Sequence, residues 1–464
     1  MADDTYQCDS GNRIFAGRVQ FAHGALLDLI AAAPAASWVR VNTNRIDSQF
    51  PAADYRPLFN AGPGNPAKIM EAWSGFAWDS RNHRLIIFGG GHANYSGNDT
   101  YVWDGTTGLW QLAFYPSDVE AVPAGYRTVD GPASSPISSH TYGNNNYLPL
   151  LDRFVTFGGA AHSSGNSFVM TDGAGNALRA LAGGYTLDLS QAGLGRVAGA
   201  PGSNVQRGST VGVSLPGASA WYARDYLLDH GQAATAAGLV RHVNGGTAVV
   251  EEGGKDVCYV QGSAGGTSLG LYRIEYSDAD DYLTDVITQV GQAWNNAGQD
   301  TGVAYDASNQ IFVDLGDAAY PIYGWDISAG IAGPSNHNFR VAAADVGGPD
   351  AAEFLAIGIA DFGLLHDETR GFFVAWERGG RLFSITPPSG HPVPVTGWSV
   401  AKIVDPVAPR PALMGELPVA DRDTGVHGKF RRAPDLDTYV ALQGCTAGDV
   451  WMYKPSDWTD PRTL

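Results

Sequence analysis

The chain has 464 residues and a formal net charge of −18, with 60 glycines, 11% aromatic residues and only 16% charged residues. The negative charge, with no basic stripe to interrupt it, disfavours binding to nucleic acid or to an anionic membrane surface. Abundant glycine and aromatic residues among many short apolar runs are typical of repeat-built all-β folds. Such folds exceed the usual domain size because each repeat packs on the next.

The first predicted element is a short amphipathic helix over residues 25–33, which Pro34 closes. Asp28 interrupts this apolar run and no Lys/Arg cluster directly precedes it, so the pattern argues against a signal peptide. The run is also too short to cross a bilayer. We therefore expect a helical or extended appendage over residues 1–36, a single domain over 37–464, synthesis in the cytoplasm without a signal peptide, and no membrane insertion.

The three cysteines, Cys8, Cys258 and Cys445, are far apart and odd in number. A disulfide framework needs an even and denser set, and a zinc site needs close pairs. We expect free thiols in a chain made in a reducing compartment.

One hairpin pattern recurs along the chain: an apolar strand, a polar turn, a second apolar strand and then glycine. Its first copy runs from Gly75 to Gly90. Further copies cover residues 142–159, 246–262, 301–316, 362–376 and 425–444, and a weaker copy covers 210–229. The turns carry residues that favour tight hairpins, namely Asp79, Asp306, Asp367 and Asp435. Self-similarity at this spacing indicates a β-propeller built from four-stranded blades.

Counting the copies predicts seven blades, and six blades with a large insertion is the alternative. The seven segments are 67–115, 137–198, 206–245, 246–295, 299–345, 360–405 and 424–455. The last of these lacks a fourth strand, whereas Ser37–Asn42 has a fourth-strand pattern and no blade of its own. We expect this N-terminal strand to complete the last blade, because closing the ring pairs strands that would otherwise be exposed edges.

The segment Ile86-Ile87-Phe88-Gly89-Gly90, followed by Tyr101 and Trp110, resembles the kelch repeat. The run Val155–Gly159 repeats the glycine pair. The resemblance is specific over about 67–170 and otherwise concerns architecture. It implies a kelch-type, galactose-oxidase-like propeller, and such propellers serve as enzymes, sugar binders or interaction modules, so that fold alone does not fix function.

In such a blade, the loop after the second strand and the segment leading into the first strand lie on the same face. Four histidines fall in these positions: His92, His140, His162 and His427. They belong to the predicted blades seven, one and two, which are consecutive around a closed ring, so we expect them to line one sector of a pocket. Neighbouring residues that we expect to join them are Asn94, Tyr95, Tyr126, Arg127 and Tyr142.

Imidazole and phenol groups can move protons to and from a substrate, and an arginine can neutralise a carboxylate and so acidify the adjacent C–H. His92, His140, Tyr142 and Arg127 would suit β-elimination on a uronate-containing polysaccharide, and their arrangement resembles that of ulvan-lyase-like propellers. Asn94, Tyr95, Tyr126, His162 and His427 would then bind the ligand. Two or three of the histidines could instead hold zinc, and each residue also has a plain structural interpretation in loop or core packing.

Two other metal-dependent interpretations find less support. A copper-radical oxidase needs a cysteine beside a ligand tyrosine, but Cys258 and Cys445 fall within predicted second strands. The run Asp278–Asp281 lacks the glycine and distal glutamate of an EF-hand calcium loop. We expect no cofactor, with a zinc or calcium ion left open.

Two functions follow, and we favour the first. An acidic, Gly-rich propeller with Tyr/Ser/Gly/Asn loops suits a binding module for a surface polysaccharide or glycan. The composition resembles that of an extracellular protein, although the sequence predicts no signal peptide. This combination suggests a phage-type virion component, such as a tail protein for host-surface binding. This protein would contact other virion proteins through residues 1–36 and would become extracellular after release. The alternative is the uronate-specific polysaccharide lyase.

Overall fold

The computed structural model of the chain describes residues 5–7, 13–15, 24–57, 64–192, 220–239, 245–263, 267–295, 302–329, 337–358, 362–404, 409, 411 and 426–463. Within them, six four-stranded antiparallel sheets form a β-propeller. The innermost strand of each sheet contacts the innermost strands of its two neighbours, and the sixth contacts the first, so the ring is closed.

The strands of each blade are named from the innermost to the outermost. Blade 1 consists of Phe76–Asp79, Arg84–Ile87, Thr100–Asp104 and Leu109–Phe114. Blade 2 consists of Asn145–Leu148, Arg153–Thr156, Tyr185–Leu187 and Trp221–Ala223. Blade 3 consists of Thr247–Glu252, Lys255–Ser263, Thr267–Glu275 and Val286–Gly291. Blade 4 consists of Val303–Asp306, Ile311–Leu315, Ile322–Asp326 and His337–Val341. Blade 5 consists of Phe362–Asp367, Phe372–Glu377, Leu382–Thr386 and Trp398–Val404. Blade 6 consists of Phe430–Ala433, Thr438–Gln443, Asp449–Lys454 and Ser37–Arg40.

Shorter elements decorate this ring. Val346–Gly347 pairs in parallel with the outer strand of blade 5, and Trp294–Asn295 pairs with the third strand of blade 3. Three two-stranded hairpins are Thr5–Gln7 with Arg13–Phe15, Val119–Val122 with Gly125–Thr128, and Val169–Thr171 with Ala177–Ala180. The α-helices are Gly24–Ala32, Lys68–Glu71, Ala233–Ala236 and Ala351–Leu355. The 3₁₀-helices are Ile46–Gln49, Ala53–Tyr55, Leu189–Gln191, Ala237–Leu239, Ala343–Asp345, Pro434–Leu436 and Pro461–Thr463.

The prediction of seven blades is wrong, and the alternative of six agrees with the structure. The predicted extra blade at 206–245 supplies instead the fourth strand of blade 2, Trp221–Ala223, which pairs with Tyr185–Leu187. Part of the weak hairpin copy at 210–229 lies outside the described residues. The extra hairpin Val169–Ala180 separates the second and third strands of blade 2, so this blade extends much further along the sequence than the others.

The N-terminal strand closes the ring as the sequence predicts. Ser37–Arg40 pairs antiparallel with Trp451–Lys454, and the ring of Trp38 lies 5.3 Å from that of Tyr453. The helix Gly24–Ala32 buries Leu26, Leu27 and Ile30 in the core between blades 6 and 1. No helix in the described part of the chain is long and apolar enough to cross a bilayer.

Side chains alternate along each strand, so every blade presents an apolar surface to both of its neighbours. In the inner strand of blade 1, Phe76 and Trp78 pack toward blade 6, whereas Ala77 packs toward blade 2. The described residues form six buried clusters, one at each boundary between blades. The propeller therefore holds its loops on a rigid scaffold, with core on both sides of every blade.

The ring has two faces that carry different segments. The loop face carries the segments that lead into the inner strands and those that follow the second strands, including His92, His140 and His427. The turn face carries the hairpin turns between first and second strands, including Ser80 and Ala307.

Candidate functional site on the loop face

Three consecutive blades place a large ring at the same structural position. Trp73, Tyr142 and His427 each lie three residues before the inner strand of blades 1, 2 and 6. All three have left-handed backbones, with φ of 46°, 46° and 43°. This conformation is unfavourable for a residue with a bulky side chain, and such strain concentrates at functional sites.

The backbones of these segments are locked to one another. The amide of Tyr142 donates a hydrogen bond to the carbonyl of Trp73 (2.6 Å), which joins blade 2 to blade 1. Gly75 follows Trp73, and a Cβ there would lie 2.4 Å from the carbonyl oxygen of Tyr142 and 2.7 Å from Cα of Gly428. Only glycine permits this close approach. Because Gly75 packs directly against blades 2 and 6, it fixes the position of the backbone that carries Trp73.

His92 joins the same place from the loop that follows the second strand of blade 1. Its backbone is also left-handed, with φ of 48°. The amides of His92 and His140 both donate to the carbonyl of Ala160, at 3.1 and 2.9 Å. A Cβ at Gly91 would lie 2.1 Å from Cα of Ser139, so glycine is required where the two loops meet.

The five side chains form a continuous series of rings, which we call the ring cluster: Trp73, His92, His140, Tyr142 and His427. Trp73 stacks on His140 with 4.7 Å between centroids, and His92 meets His140 at 5.5 Å. Tyr142 is 6.2 Å from His140 and 5.7 Å from His427. Three of the four predicted histidines therefore come together, with Tyr142 among them.

The ring cluster has a buried base and an accessible rim. His140, Tyr142 and His427 are buried, whereas His92 is exposed and Trp73 is half-buried. Half-buried Asn94 also belongs to the rim, because its Oδ1 lies 2.8 Å from Nε2 of His140. A ligand on this face would therefore touch Trp73, His92 and Asn94 first.

Burial keeps His140, at the base of the cluster, uncharged. It lowers the pKa of His140 to about 3, and the neighbouring His92 lowers this pKa further, although a hydrogen bond with the backbone of Gly91 opposes the shift. His140 is therefore neutral at neutral pH and has one N–H and one lone pair. Such a group orients and hydrogen-bonds well, but a general base is most efficient when its pKa lies near the working pH.

Tyr126, Arg127 and His162 form a separate, smaller group beside the ring cluster. They line a cavity of about 30 Å³, enough for about one water molecule, and the rings of Tyr126 and His162 are 5.5 Å apart. Burial lowers the pKa of His162, and the charge of His92 contributes to the same shift, although a hydrogen bond with the backbone of His92 opposes it. His162 is thereby linked electrostatically to the ring cluster.

Arg127 already has partners. Its Nε donates to Oε1 of Glu120 at 2.7 Å, and Nη1 donates to Thr171 Oγ1 and to the carbonyl of Asp172. These bonds tie the hairpin Val119–Thr128 to the hairpin Val169–Ala180. The structure therefore gives Arg127 a bracing position between two hairpins, with its charge balanced by Glu120.

Tyr95 does not reach the surface. It is fully buried in the core between blades 6 and 1, close to Asp99. The sequence placed it correctly in the loop after the glycine pair. However, its amide bonds back to the carbonyl of Gly90 (2.7 Å), and its ring belongs to the core. Its predicted contact with a ligand is therefore corrected to a packing role.

Trp73 is the site residue that sequence reasoning missed. Its signal was its position three residues before a predicted inner strand, which it shares with Tyr142 and His427. Among the residues that the structure describes, no three His, Cys, Asp or Glu side chains are grouped so that they could hold a metal ion. Cys258 is a free, buried thiol, and Cys445 is also buried.

Comparison with known proteins finds no matching protein-family model and no matching curated protein. Among solved structures, a GH93 α-L-arabinofuranosidase of Fusarium graminearum in complex with arabinobiose is similar at 8% identity and a TM-score of 0.34, over 90% of this chain and 99% of that one. The Cps50 (Swd1) β-propeller domain of Myceliophteria thermophila matches at 9% identity and a TM-score of 0.34, over 82% and 96% of the two chains. The Dos1 propeller matches at 10% identity and a TM-score of 0.35, over 93% and 97%. At these values the likenesses carry no argument about function.

Proposed function

We propose that the loop face of blades 6, 1 and 2 binds a glycan through Trp73, His92 and Asn94. The observation that carries this proposal is the ring cluster: three blades hold Trp73, Tyr142 and His427 on left-handed backbones at one equivalent position. Such strain persists where the surrounding structure holds it in place, and it concentrates at ligand sites.

The accessible rim offers the chemistry that sugars require. The half-buried indole of Trp73 provides an apolar face for the C–H face of a pyranose ring, and His92 and Asn94 provide polar groups for hydroxyls. The buried histidine and tyrosine beneath them hold the rim in place.

A neutral glycan fits this face better than a polyanionic one. The chain carries a net charge of −18, which repels acidic polymers. Arg127, the arginine that the sequence offers here, is already bonded to Glu120. We therefore propose a neutral or weakly charged surface polysaccharide as the ligand.

The setting of a phage-type virion protein is part of the same proposal and is supported by composition alone. The helix Gly24–Ala32 uses its apolar side chains in the propeller core, so contact with other virion proteins would involve its outer side, where Leu29 is 48% exposed, and the residues before Gly24. Peptide mass spectrometry of purified particles of a phage that encodes this chain would test this setting. Absence of the protein from the particles would contradict it.

The alternative function, a uronate lyase, is supported by the pairing of His92 and His140. The balanced charge of Arg127 and the low pKa of His140 weigh against it. Ultraviolet absorbance of unsaturated ends, measured after incubation with uronate polysaccharides, tests this alternative. An increase that His140→Gln abolishes would favour the lyase over the binding module.

The binding proposal is tested by titrating neutral polysaccharides into the wild type and Trp73→Ala by calorimetry. We expect Trp73→Ala to lower affinity by about tenfold, which corresponds to roughly 1.4 kcal/mol. Trp458→Ala is the matched control, because Trp458 is also half-buried but packs against Leu436 beside the turn face. Equal losses in the two variants, or an unchanged affinity in Trp73→Ala, would refute the assignment of this face.

A further inference from the structure

A channel runs along the axis of the propeller, away from the ring cluster. Its volume is about 420 Å³, which is within the usual range for small-molecule sites. Inner-strand residues of all six blades line it, and turn residues such as Ser80, Pro149, Ala307 and Pro434 border it. The channel therefore opens on the turn face.

Glycines narrow the other end of the channel. A Cβ at Gly428 of blade 6 would lie 3.1 Å from Cα of Gly143 in blade 2, although blade 1 lies between these two blades. Gly143 also forms a bridge with Gly246 of blade 3. Backbones of several blades thus meet at the axis on the loop face, so that the channel resembles a cup rather than a pore.

Arg431 lies at the base of this cup. Its Nε donates to the carbonyl of Phe76 (3.2 Å), and its Nη2 donates to the carbonyls of Gly143 and Asn145 (3.0 Å each). These three bonds hold the guanidinium across blades 6, 1 and 2. Nη1 makes no hydrogen bond to any residue that the structure describes, and the accessible part of the side chain lines the channel.

The charge of Arg431 is not balanced within the described residues. The acceptors of its hydrogen bonds are neutral carbonyls, and it forms no ion pair with a described carboxylate. Burial lowers the pKa of Arg431 to about 10, which is the expected effect on a cation without a counter-charge. An uncompensated charge in a partly enclosed channel is costly, and an anion beside it would relieve this cost.

The other ionisable groups on the wall are already paired or lie at the mouth. Arg432 is bonded to Asp437, and His366 lies 3.4 Å from Asp306. Glu251 and Glu368 line the channel but are exposed. A highly charged anion would meet these two carboxylates before it reached Arg431, whereas a single negative charge would meet less repulsion.

We propose that this channel binds a small organic monocarboxylate. Its oxygens accept hydrogen bonds from Nη1 of Arg431, and its body packs among Trp78, Tyr147 and Tyr305 on the channel wall. The site is independent of the glycan face, because the channel opens on the turn face.

Benzoate, benzamide and inorganic phosphate are the probes, titrated by calorimetry into the full-length protein. Benzamide has the shape of benzoate without its charge, and phosphate tests whether any oxyanion suffices. We expect benzoate to bind more tightly than both. We expect Arg431→Gln to weaken benzoate binding by about tenfold to a hundredfold, the range for a hydrogen bond to a charged group. Arg340→Gln makes the same charge change at an exposed position and should bind benzoate as the wild type does.

A second variant keeps the test decisive if Arg431→Gln does not fold. Ala248 lines the channel, so Ala248→Phe should fill it and abolish benzoate binding while leaving Arg431 in place. Benzoate binding that survives both changes would overturn the proposal. Equal affinity for benzoate and benzamide, or tighter binding of phosphate, would also overturn it. Glycan binding at Trp73 should be unaffected by Ala248→Phe, so the two proposals succeed or fail separately.

Discussion

At the scale of single residues, Trp73 combines a functional side chain with an unfavourable backbone. Its φ of 46° lies in the left-handed region, which costs a residue with a Cβ roughly 1–2 kcal/mol. Glycine adopts this region freely. We therefore expect Trp73→Gly to be more stable than Trp73→Ala by roughly 1 kcal/mol, as measured by urea unfolding.

Trp38 provides the matched comparison, since it lies in an extended strand. There the order should reverse, and Trp38→Gly should be less stable than Trp38→Ala because glycine weakens a strand. If alanine proved the more stable replacement at both positions, the strain that we assign to Trp73 would not exist.

Much of the ring cluster could be predicted from residue types and their positions. His92, His140, Tyr142 and His427 fall in loops that a closed propeller must bring together, and the structure brings them together. The fate of Tyr95 could not be predicted in this way. Its neighbours in sequence are loop residues, and only the turn that bonds its amide to Gly90 directs the ring into the core.

At the scale of elements, the hairpin turns depend on buried aspartates. Oδ1 of Asp306 accepts hydrogen bonds from the amides of Ser308 (2.9 Å) and Asn309 (3.0 Å), and Asp79 and Asp367 make the same bonds in their own turns. These turns were predictable because Asp is the residue that closes such a loop with its own side chain.

Asp306→Ala should lower the free energy of unfolding at pH 7 by about 1–3 kcal/mol, since it leaves two amides without their acceptor. Burial raises the pKa of Asp306, but the contact with His366 at 3.4 Å and the hydrogen bonds from Asn309 outweigh it and bring the pKa to about 2. A lowered folded-state pKa stabilises the protein above the unfolded value of 3.8, and this contribution is lost as the pH falls toward 2. The difference between wild type and variant should therefore shrink over that interval.

Urea unfolding at pH 7, pH 3 and pH 2 measures both effects. Glu368→Ala serves as the control, because it removes an exposed carboxylate from the corresponding turn of blade 5. A difference between wild type and Asp306→Ala that stays constant down to pH 2 would show that the carboxylate charge contributes nothing to the turn.

The blade count shows where element-level reasoning fails. The third strand of blade 2, Tyr185–Leu187, pairs with a fourth strand, Trp221–Ala223, that follows it by more than thirty residues. In the sequence, a strand so distant from its partner has the same pattern as the start of a new blade. Only the pairing itself, a long-range property, distinguishes the two.

At the scale of the whole molecule, closure of the ring depends on the N-terminal strand Ser37–Arg40, which completes the C-terminal blade 6. The pattern Ser37–Asn42 predicted this closure, because a fourth strand without a blade and a blade without a fourth strand complement each other. Trp38 carries much of the closure. It is 4% exposed, and its ring packs 5.3 Å from Tyr453 in blade 6 and 6.3 Å from Trp376 in blade 5.

Trp38→Ala should lower the free energy of unfolding by about 3–5 kcal/mol, the usual cost of removing a large buried aromatic ring. Trp398→Ala is the control of similar size: Trp398 is fully buried in the outer strand of blade 5 and stacks on Phe339 of blade 4, in a different core cluster from Trp38. The two variants should differ in how they open. Weakened closure frees the N-terminal strand locally, because its release exposes the edge of blade 6 without unfolding the other blades.

Limited proteolysis at low denaturant should therefore cut Trp38→Ala between residues 24 and 45 before any other region, whereas Trp398→Ala should show no preference for that segment. Identical cleavage patterns in the two variants would mean that the ring unfolds as one unit and that its closing strand is no weaker than the rest.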